Sequence, residues 1–418
     1  MNKKAYEAEL PYKSIKHCRL CNSGNLETML DFGLVPLANS YPAQQWQDET
    51  YYPLTWVKCQ DCGHVQLRET VKPEVLFAQY SYASSDSPSL LKHFNEFACT
   101  VTSHLNLTEY ESILEIGCND GILLKEFVKL GFVNLYGVEP ATNIAERAMG
   151  IGAIILNAYF NAVTAKRLKD AHGKMGVICA NNVFAHVADV EGMAQGVADL
   201  LTDDGVFIFE NAYLLDTVKG LYFDQVYHEH LQYYGIMPLQ RFLARFGMEI
   251  FDIQHVDTQG GSFRIFAKKK TSTKWSVQPT VEQWVDAERA YNLYETRIYK
   301  EFEVQINTLA EKVKAFVSDA RTEGKSISCY GCPAKFALFS KVFGLTANDV
   351  KYVVEDSPLK QGRFSPGKKI PIVNRAFFLE HPTDICLVAV WNMAEPIIAR
   401  NPEFKGKWVI PMPRFEVR

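Results

Sequence analysis

The chain has 418 residues, 47% hydrophobic and 22% charged, which is too long for one ordinary domain and leaves ample material for a core. Its formal net charge of -4 gives no reason to expect nucleic acid or an anionic membrane as partner. No apolar run is long enough to span a bilayer, and the opening MNKKAYEAEL lacks the apolar core of a signal peptide, so a cytoplasmic monomer or small homo-oligomer is expected.

The segment 1–79 carries CRLC and CQDC. Paired cysteines in a reducing compartment are more often metal ligands than disulfides. Each pair brackets a tight turn, and two such turns bring four thiolates, Cys18, Cys21, Cys59 and Cys62, around one Zn²⁺. With four protein ligands no position is left for water, so the expectation is a zinc-ribbon-like domain whose metal is structural. His64, two residues beyond Cys62, is expected to play a surface role rather than to ligate.

Residues 80–270 alternate strand-like and helix-like patterns. SILEIGCNDG, FVNLYGVEP, MGVICANNVFAHV and GVFIFENAY read as strands, with stretches such as ILLKEFVKLG between them as helices. This alternation predicts a parallel sheet covered on both faces, an α/β fold. From Thr280 to Glu323 there is no glycine or proline. Apolar residues at helical spacing, including Trp284, Ile298, Phe302, Ile306 and Val313, predict one long packing helix or two in tandem. Beyond Ser326 the alternation resumes in SISCYGCPAKFALF, KYVVEDSP and DICLVAVWN. The segment 271–418 is therefore read as the long helix plus a second, smaller α/β unit.

LEIGCNDG is the most informative glycine loop. Gly117 and Gly121 let the backbone turn sharply and approach a ligand. The spacing is G-x-x-x-G, not the dinucleotide G-x-G-x-x-G, and it resembles motif I of class I S-adenosylmethionine methyltransferases, with Glu115 in the strand and Asn119 in the turn. Glu139 ends the next strand about twenty residues on, where a carboxylate accepts ribose hydroxyls. Asn157 follows the strand where this fold usually contacts adenine, and Asn181 stands where the methionine end would lie.

VYHEHLQYY, Val226 to Tyr234, follows the strand GVFIFENAY, and ligands bind beyond the carboxyl ends of parallel strands. Three readings compete. On a strand His228 and His230 share a face and offer two metal ligands, but no third is evident and the cysteines already account for zinc. A histidine beside a carboxylate is a general base near neutral pH, and Tyr227 is able to stabilise a developing oxyanion. The plain alternative is a satisfied polar interface, which a Y-H-E-H cluster beside a cofactor loop disfavours.

Across nearly the whole chain the sequence resembles the C-methyltransferases that act on nucleotide-linked 4-keto deoxysugars. The four cysteines, VPLANSY, YSYASSDSPSLLKHF, EIGCNDGILL, NNVFAHV, FDQVYHEHLQYY, GGSFRIF and YGCPAKF…VVEDSPLKQGRFSPG carry the resemblance. It implies a zinc-binding domain, a central methyltransferase domain and a smaller C-terminal Rossmann-like domain. It also implies a base that removes a proton from C3, α to the ketone, so that the enolate carbon takes the methyl group. Carried onto this chain, His230 is the base, Glu229 orients it or contacts the sugar, and Tyr227 and His186 meet the ketone oxygen. Tyr82 closes over the sugar, with Tyr80 as the second choice. His228 is left without a role. In the C-terminal unit, expected to hold the nucleotide part of the substrate, Lys335 and Arg363 are the phosphate candidates and Asp356 ends its strand as Glu139 does. The competing expectations are a methyltransferase acting on oxygen or on another keto substrate, and a non-catalytic zinc-ribbon module that binds a partner or glycan intermediate.

Overall fold

The computed structural model describes residues 10–77, 84–86 and 88–418; Tyr80 and Tyr82 lie outside the described residues. In the N-terminal segment, β1 (Tyr12–Ser14) pairs with β5 (Glu69–Val71). The long hairpin of β2 (Leu26–Pro36) and β3 (Tyr51–Cys59) continues into β4 (Val65–Leu67). This sheet takes its fourth strand from far along the chain: β11 (Gln232–Tyr233), which begins two residues after His230, pairs antiparallel with β4.

The central sheet holds β6 (Ser112–Ile116), β7 (Asn134–Val138), β8 (Ile154–Leu156), β9 (Met175–Asn181), β10 (Leu201–Ala212), β12 (Met248–Val256) and β13 (Ser262–Lys269). Its order is β12-β13-β10-β9-β6-β7-β8, with β13 antiparallel to both neighbours and the five strands from β10 to β8 mutually parallel. All seven residues of β9 are buried. A strand with no solvated face requires helices on both sides of the sheet, hence the continuous apolar run rather than an alternating one.

The C-terminal sheet has β14 (Ile327–Tyr330), β15 (Val353–Val354), β16 (Ile372–Val373), β17 (Ile385–Val388), β18 (Lys407–Ile410) and β19 (Glu416–Val417) in the order β16-β15-β14-β17-β18-β19. The chain is therefore α/β throughout its larger part. Both α/β sheets reverse strand order once, between β6 and β9 and between β14 and β17, and such switch points open the crevices in which this architecture binds ligands.

The expected helical stretch is two helices in tandem, Pro279–Ala290 and Thr296–Thr322, broken where Asn292 takes a left-handed conformation at φ 56°. The second buries Ile298, Phe302, Ile306, Leu309, Val313 and Val317 along one stripe. The first supplies Glu288, whose carboxylate accepts from Ile236 N (2.6 Å), Met237 N (3.2 Å), the Tyr213 hydroxyl (3.1 Å) and the Tyr294 hydroxyl. This brace ties the helices to the chain on either side of the VYHEH segment.

A second buried network was not anticipated. Glu210 of β10 is fully enclosed. Arg264 of β13 donates to it through Nε at 2.6 Å, and His93 of the helix Pro88–His104 bonds its other oxygen at 2.7 Å. Removing one partner of an enclosed charge pair typically costs about 3–5 kcal/mol, because the remaining charge is left uncompensated. Arg264→Met is therefore expected to lower the urea midpoint of unfolding of the central unit by that much stability. An unchanged midpoint would show that the pairing contributes little.

Candidate active site and zinc centre

The four cysteines converge. Their sulfurs all lie within 4.8 Å of one another, with Cys18–Cys62 at 3.7 Å and Cys21–Cys59 at 3.5 Å. A tetrahedron with Zn–S bonds of about 2.3 Å has edges of about 3.8 Å, so the set fits a zinc ion. The contact between Cys18 and Cys62 lowers the pKa of the Cys18 thiol, against the effect of burial, and raises that of Cys62. His64 is not on the surface: it is fully buried and donates through Nε2 to Gln232 Oε1 at 2.6 Å.

The glycine loop adopts the conformation its residues suggest. Gly117 and Gly121 have φ of 68° and 75°, and a Cβ would stand 2.4 Å from Val183 and 2.3 Å from Ile151. Asn119 is also left-handed, at φ 49°. Its N–H donates to Glu139 Oε2 at 3.0 Å, while Ala141 N donates to Oε1 at 2.8 Å. Glu115, Glu139 and Asp120 face one another; burial first, then the two neighbouring carboxylates, pushes Glu115 well above its ordinary range. Among the described residues, Glu115 Oε2, Asp120 Oδ1 and both amide atoms of Asn181 are buried without a hydrogen-bond partner. Asn157, by contrast, is committed within the protein: it donates to Glu139 O and Pro140 O and accepts from Thr142. Ser84 N and Ser85 N cap this loop, donating to Asn119 Oδ1 at 2.9 Å and Asp120 Oδ2 at 3.2 Å.

The segment Val226–His230 is a turn and not the strand the sequence suggested. It is closed by His230 N donating to Tyr227 O at 2.9 Å. His230 Nδ1 lies 3.1 Å from the carbonyl of Gln225, and Nε2 lies 2.8 Å from the Tyr227 hydroxyl. A carbonyl only accepts, so Nδ1 carries the proton and Nε2 presents its lone pair. His186 packs edge-on against His230, with ring centroids 4.9 Å apart. Burial lowers His186 to about 4; burial, His186 and Lys335 hold His230 well below the usual imidazole range. Both rings are thus neutral at physiological pH. Burial raises Glu229 to about 7 while the Asn39 amide, 2.6 Å away, favours its charged form. His228 turns away from this group: its Nε2 donates to Pro53 O at 3.2 Å, and its ring meets Tyr52 edge-on.

Of the three C-terminal candidates, Lys335 reaches the turn. Its ammonium lies over Trp391, within electrostatic range of His230 and Asp224. Among the described residues it makes no hydrogen bond. Asp356 is exposed and paired with Arg400 and Tyr330. Arg363 is exposed and donates to Tyr41 O at 3.3 Å. The residue that stands where Glu139 stands is Glu355, one position earlier than the sequence reading placed it. Its Oε2 accepts from Cys332 N at 3.0 Å and its Oε1 from Asp356 N and Ser357 N, the same pattern as at Glu139.

Three family models match in succession: one described as "Putative zinc binding domain" over residues 18–77, one as "Methyltransferase domain" over 82–253 and one as "C-methyltransferase C-terminal domain" over 257–413. The C-methyltransferase NovU of Streptomyces niveus is 30% identical over 406 residues, covering 96% of each chain. The chain belongs to the S-adenosylmethionine-dependent C-methyltransferases. A ubiquinone biosynthesis O-methyltransferase of Azorhizobium caulinodans is 29% identical, over 31% of this chain and 49% of its own. Among solved structures, an S-adenosylmethionine-dependent methyltransferase from Clostridium acetobutylicum aligns with 47% of the methyltransferase and 95% of its own length, at 14% identity and TM-score 0.35.

The loop between β6 and the helix Ile122–Lys129 fits the cofactor of this family. Unpartnered carboxylate and amide atoms at Glu115, Asp120 and Asn181 suit a ligand bearing a sulfonium, an ammonium and a ribose diol. Glu139 and Asn119 would hold the ribose end. Sequence reasoning missed Asn39, Ser84, Ser85, Glu355 and the His93–Glu210–Arg264 network. VPLANSY and YSYASSDSP were visible as motifs, but nothing in their spacing says which distant residue each one meets.

Proposed function

We propose that the methyltransferase acts on C3 of a nucleotide-linked 4-keto deoxysugar, with His230 as the base. The observation that carries this reading is the tautomer of His230. A neutral imidazole with Nδ1–H fixed on a backbone carbonyl and Nε2 held as an acceptor, here by the Tyr227 hydroxyl, is a base prepared for a carbon acid, whereas a hydroxyl nucleophile makes a smaller demand on proton removal. His230 Nε2 takes the C3 proton, and the Tyr227 hydroxyl, now bonded to Nε2, turns to the ketone oxygen as charge develops there. His186 lines the same pocket, and Glu229 meets a sugar hydroxyl. Bound S-adenosylmethionine supplies the electrophilic methyl group.

The nucleotide portion is assigned to the unit 271–418, beyond the methyltransferase unit 80–270 and the zinc unit 1–79. Lys335 supports this assignment. It sits in the loop after β14, at the switch point of the C-terminal sheet, and is half-buried with no hydrogen-bonding partner for its ammonium among the described residues. A diphosphate there leaves the attached sugar facing His230.

The test incubates the protein with labelled S-adenosylmethionine and a panel of dTDP-, GDP- and CDP-linked 4-keto sugars, followed by mass and NMR analysis of the products. A methyl group on C3 of one of them is expected. A methyl group on oxygen, or turnover only of keto compounds lacking a nucleotide, would overturn the assignment.

A further inference from the structure

We infer that Asn39 is a positioning residue for the methyl-transfer reaction, acting through Glu229, so that the zinc-bearing sheet completes the active site. The inference rests on the reaction proposed above. Asn39 lies just beyond β2, in the PLANSY stretch of the N-terminal unit. Glu229 is 4% exposed, and its carboxyl oxygen Oε1 accepts from Asn39 Nδ2 at 2.6 Å. Among the described residues this is the only hydrogen bond to that carboxyl; Oε2 makes none. A carboxylate offers about four lone-pair sites, so one is used to fix the group and the remainder are left for a ligand. The terminal torsion of a glutamate is broad and weakly determined on its own, and Asn39 is what selects its orientation.

The groups nearest this carboxyl are otherwise engaged. The Tyr41 hydroxyl donates to Cys332 O at 2.9 Å. His228 is directed to Pro53 O, and His230 to Gln225 O and the Tyr227 hydroxyl. None can replace Asn39 without breaking its own contact. The N-terminal unit holds the turn at two further points, through Pro53 on β3 and through the pairing of β4 with β11. Those two grip the backbone or the outward-facing His228. Among the described residues, Asn39 is the one residue that hydrogen-bonds the Glu229 carboxyl.

The test uses the full-length zinc-loaded protein and whichever 4-keto nucleotide sugar the panel identifies. Asn39→Ala is expected to lower kcat and C3 proton exchange about tenfold or more, since small misplacements of catalytic groups cost up to about 10²-fold. KM for S-adenosylmethionine, zinc content and melting temperature are expected to stay at wild-type values. In a Glu229→Gln background the same change is expected to have no further effect beyond twofold, because the two residues act as one unit. Asn39→Gln, which restores an amide donor, is expected to recover part of the loss. A kcat within twofold of wild type, or equal losses in both backgrounds, would overturn the inference. If no nucleotide sugar is turned over by the wild-type protein, the reaction reading is at fault. Asn39 is then tested by infrared titration of the Glu229 carboxyl, assigned by its disappearance in Glu229→Gln: Asn39→Ala is expected to move that titration to higher pH, and an unmoved band rejects the role.

Discussion

Replacing His230 with alanine is expected to suppress exchange of the substrate's C3 proton with solvent by about 10²–10⁴-fold, the usual worth of a positioned general base. Methyl transfer should fall in parallel. The expectation follows from three contacts already in place. The Gln225 carbonyl fixes which ring nitrogen holds the proton, the Tyr227 hydroxyl marks the position of the free lone pair, and His186 limits the ring's rotation. Loss of the imidazole removes the acceptor without disturbing the glycine loop, so S-adenosylmethionine binding measured by calorimetry should persist. Deuterium wash-in followed by NMR distinguishes the proton step from the methyl step. Undiminished exchange in the variant would assign the base to another group. The pH profile gives a second check. As the proposed base His230 must act deprotonated, and burial, His186 and Lys335 hold its folded-state pKa well below the ordinary 6.5. Activity is therefore lost only as pH falls through that lowered value, and the acid limb of kcat/KM is expected below pH 6.5. Lys335→Ala removes one of the charges that disfavour the imidazolium, so it should shift this limb toward higher pH.

Much of the architecture could be read from local pattern. The cysteine pairs declared their own chemistry, and the run MGVICAN could be buried on both faces only in a covered parallel sheet. The glycine loop and Glu139 followed from spacing along one unit. What escaped the sequence was long-range pairing. Read as a strand, VYHEHLQYY puts His228 and His230 on one face through its H-x-H spacing. Its first half instead closes as a turn, and only Gln232 and Tyr233 extend, because the partner that pairs with them is β4 in the N-terminal unit. His64 appeared to be a surface residue for the same reason: its partner, Gln232, arrives on that distant strand. The exchange of Asp356 for Glu355 is a one-residue error of register. Two adjacent acids follow a two-residue strand, and backbone N–H groups select the first. Asn39 gave no signal, since an amide in a loop declares nothing until the residue facing it is known.

The second large effect expected is at the metal. Cys59→Ser should release zinc, about one equivalent per chain, and disable proton exchange at a site to which none of the four cysteines belongs. The route is through backbone and buried hydrogen bonds. Arg19, between Cys18 and Cys21, donates to Leu67 O at 2.6 Å and to Gln66 Oε1 at 3.2 Å on β4. Leu67 N in turn donates to Leu231 O at 3.0 Å, and β4 pairs with β11, which begins two residues after His230. The position of His230, the proposed base, is thus tied to a strand that is itself tied to the zinc knuckle. Structural zinc contributes on the order of 10 kcal/mol to the folding of small domains, far more than the short β1–β5 and β4–β11 pairings can replace. The prediction distinguishes two units: proteolysis and near-ultraviolet circular dichroism should report loss of order in the N-terminal segment, while S-adenosylmethionine affinity, which depends on the loop after β6, should change little. Zinc content by mass spectrometry and C3 exchange by NMR, measured on one preparation, decide the matter. A protein that loses its zinc yet still exchanges the C3 proton at the wild-type rate would show that the N-terminal sheet holds its shape, and the catalytic turn its position, without the metal.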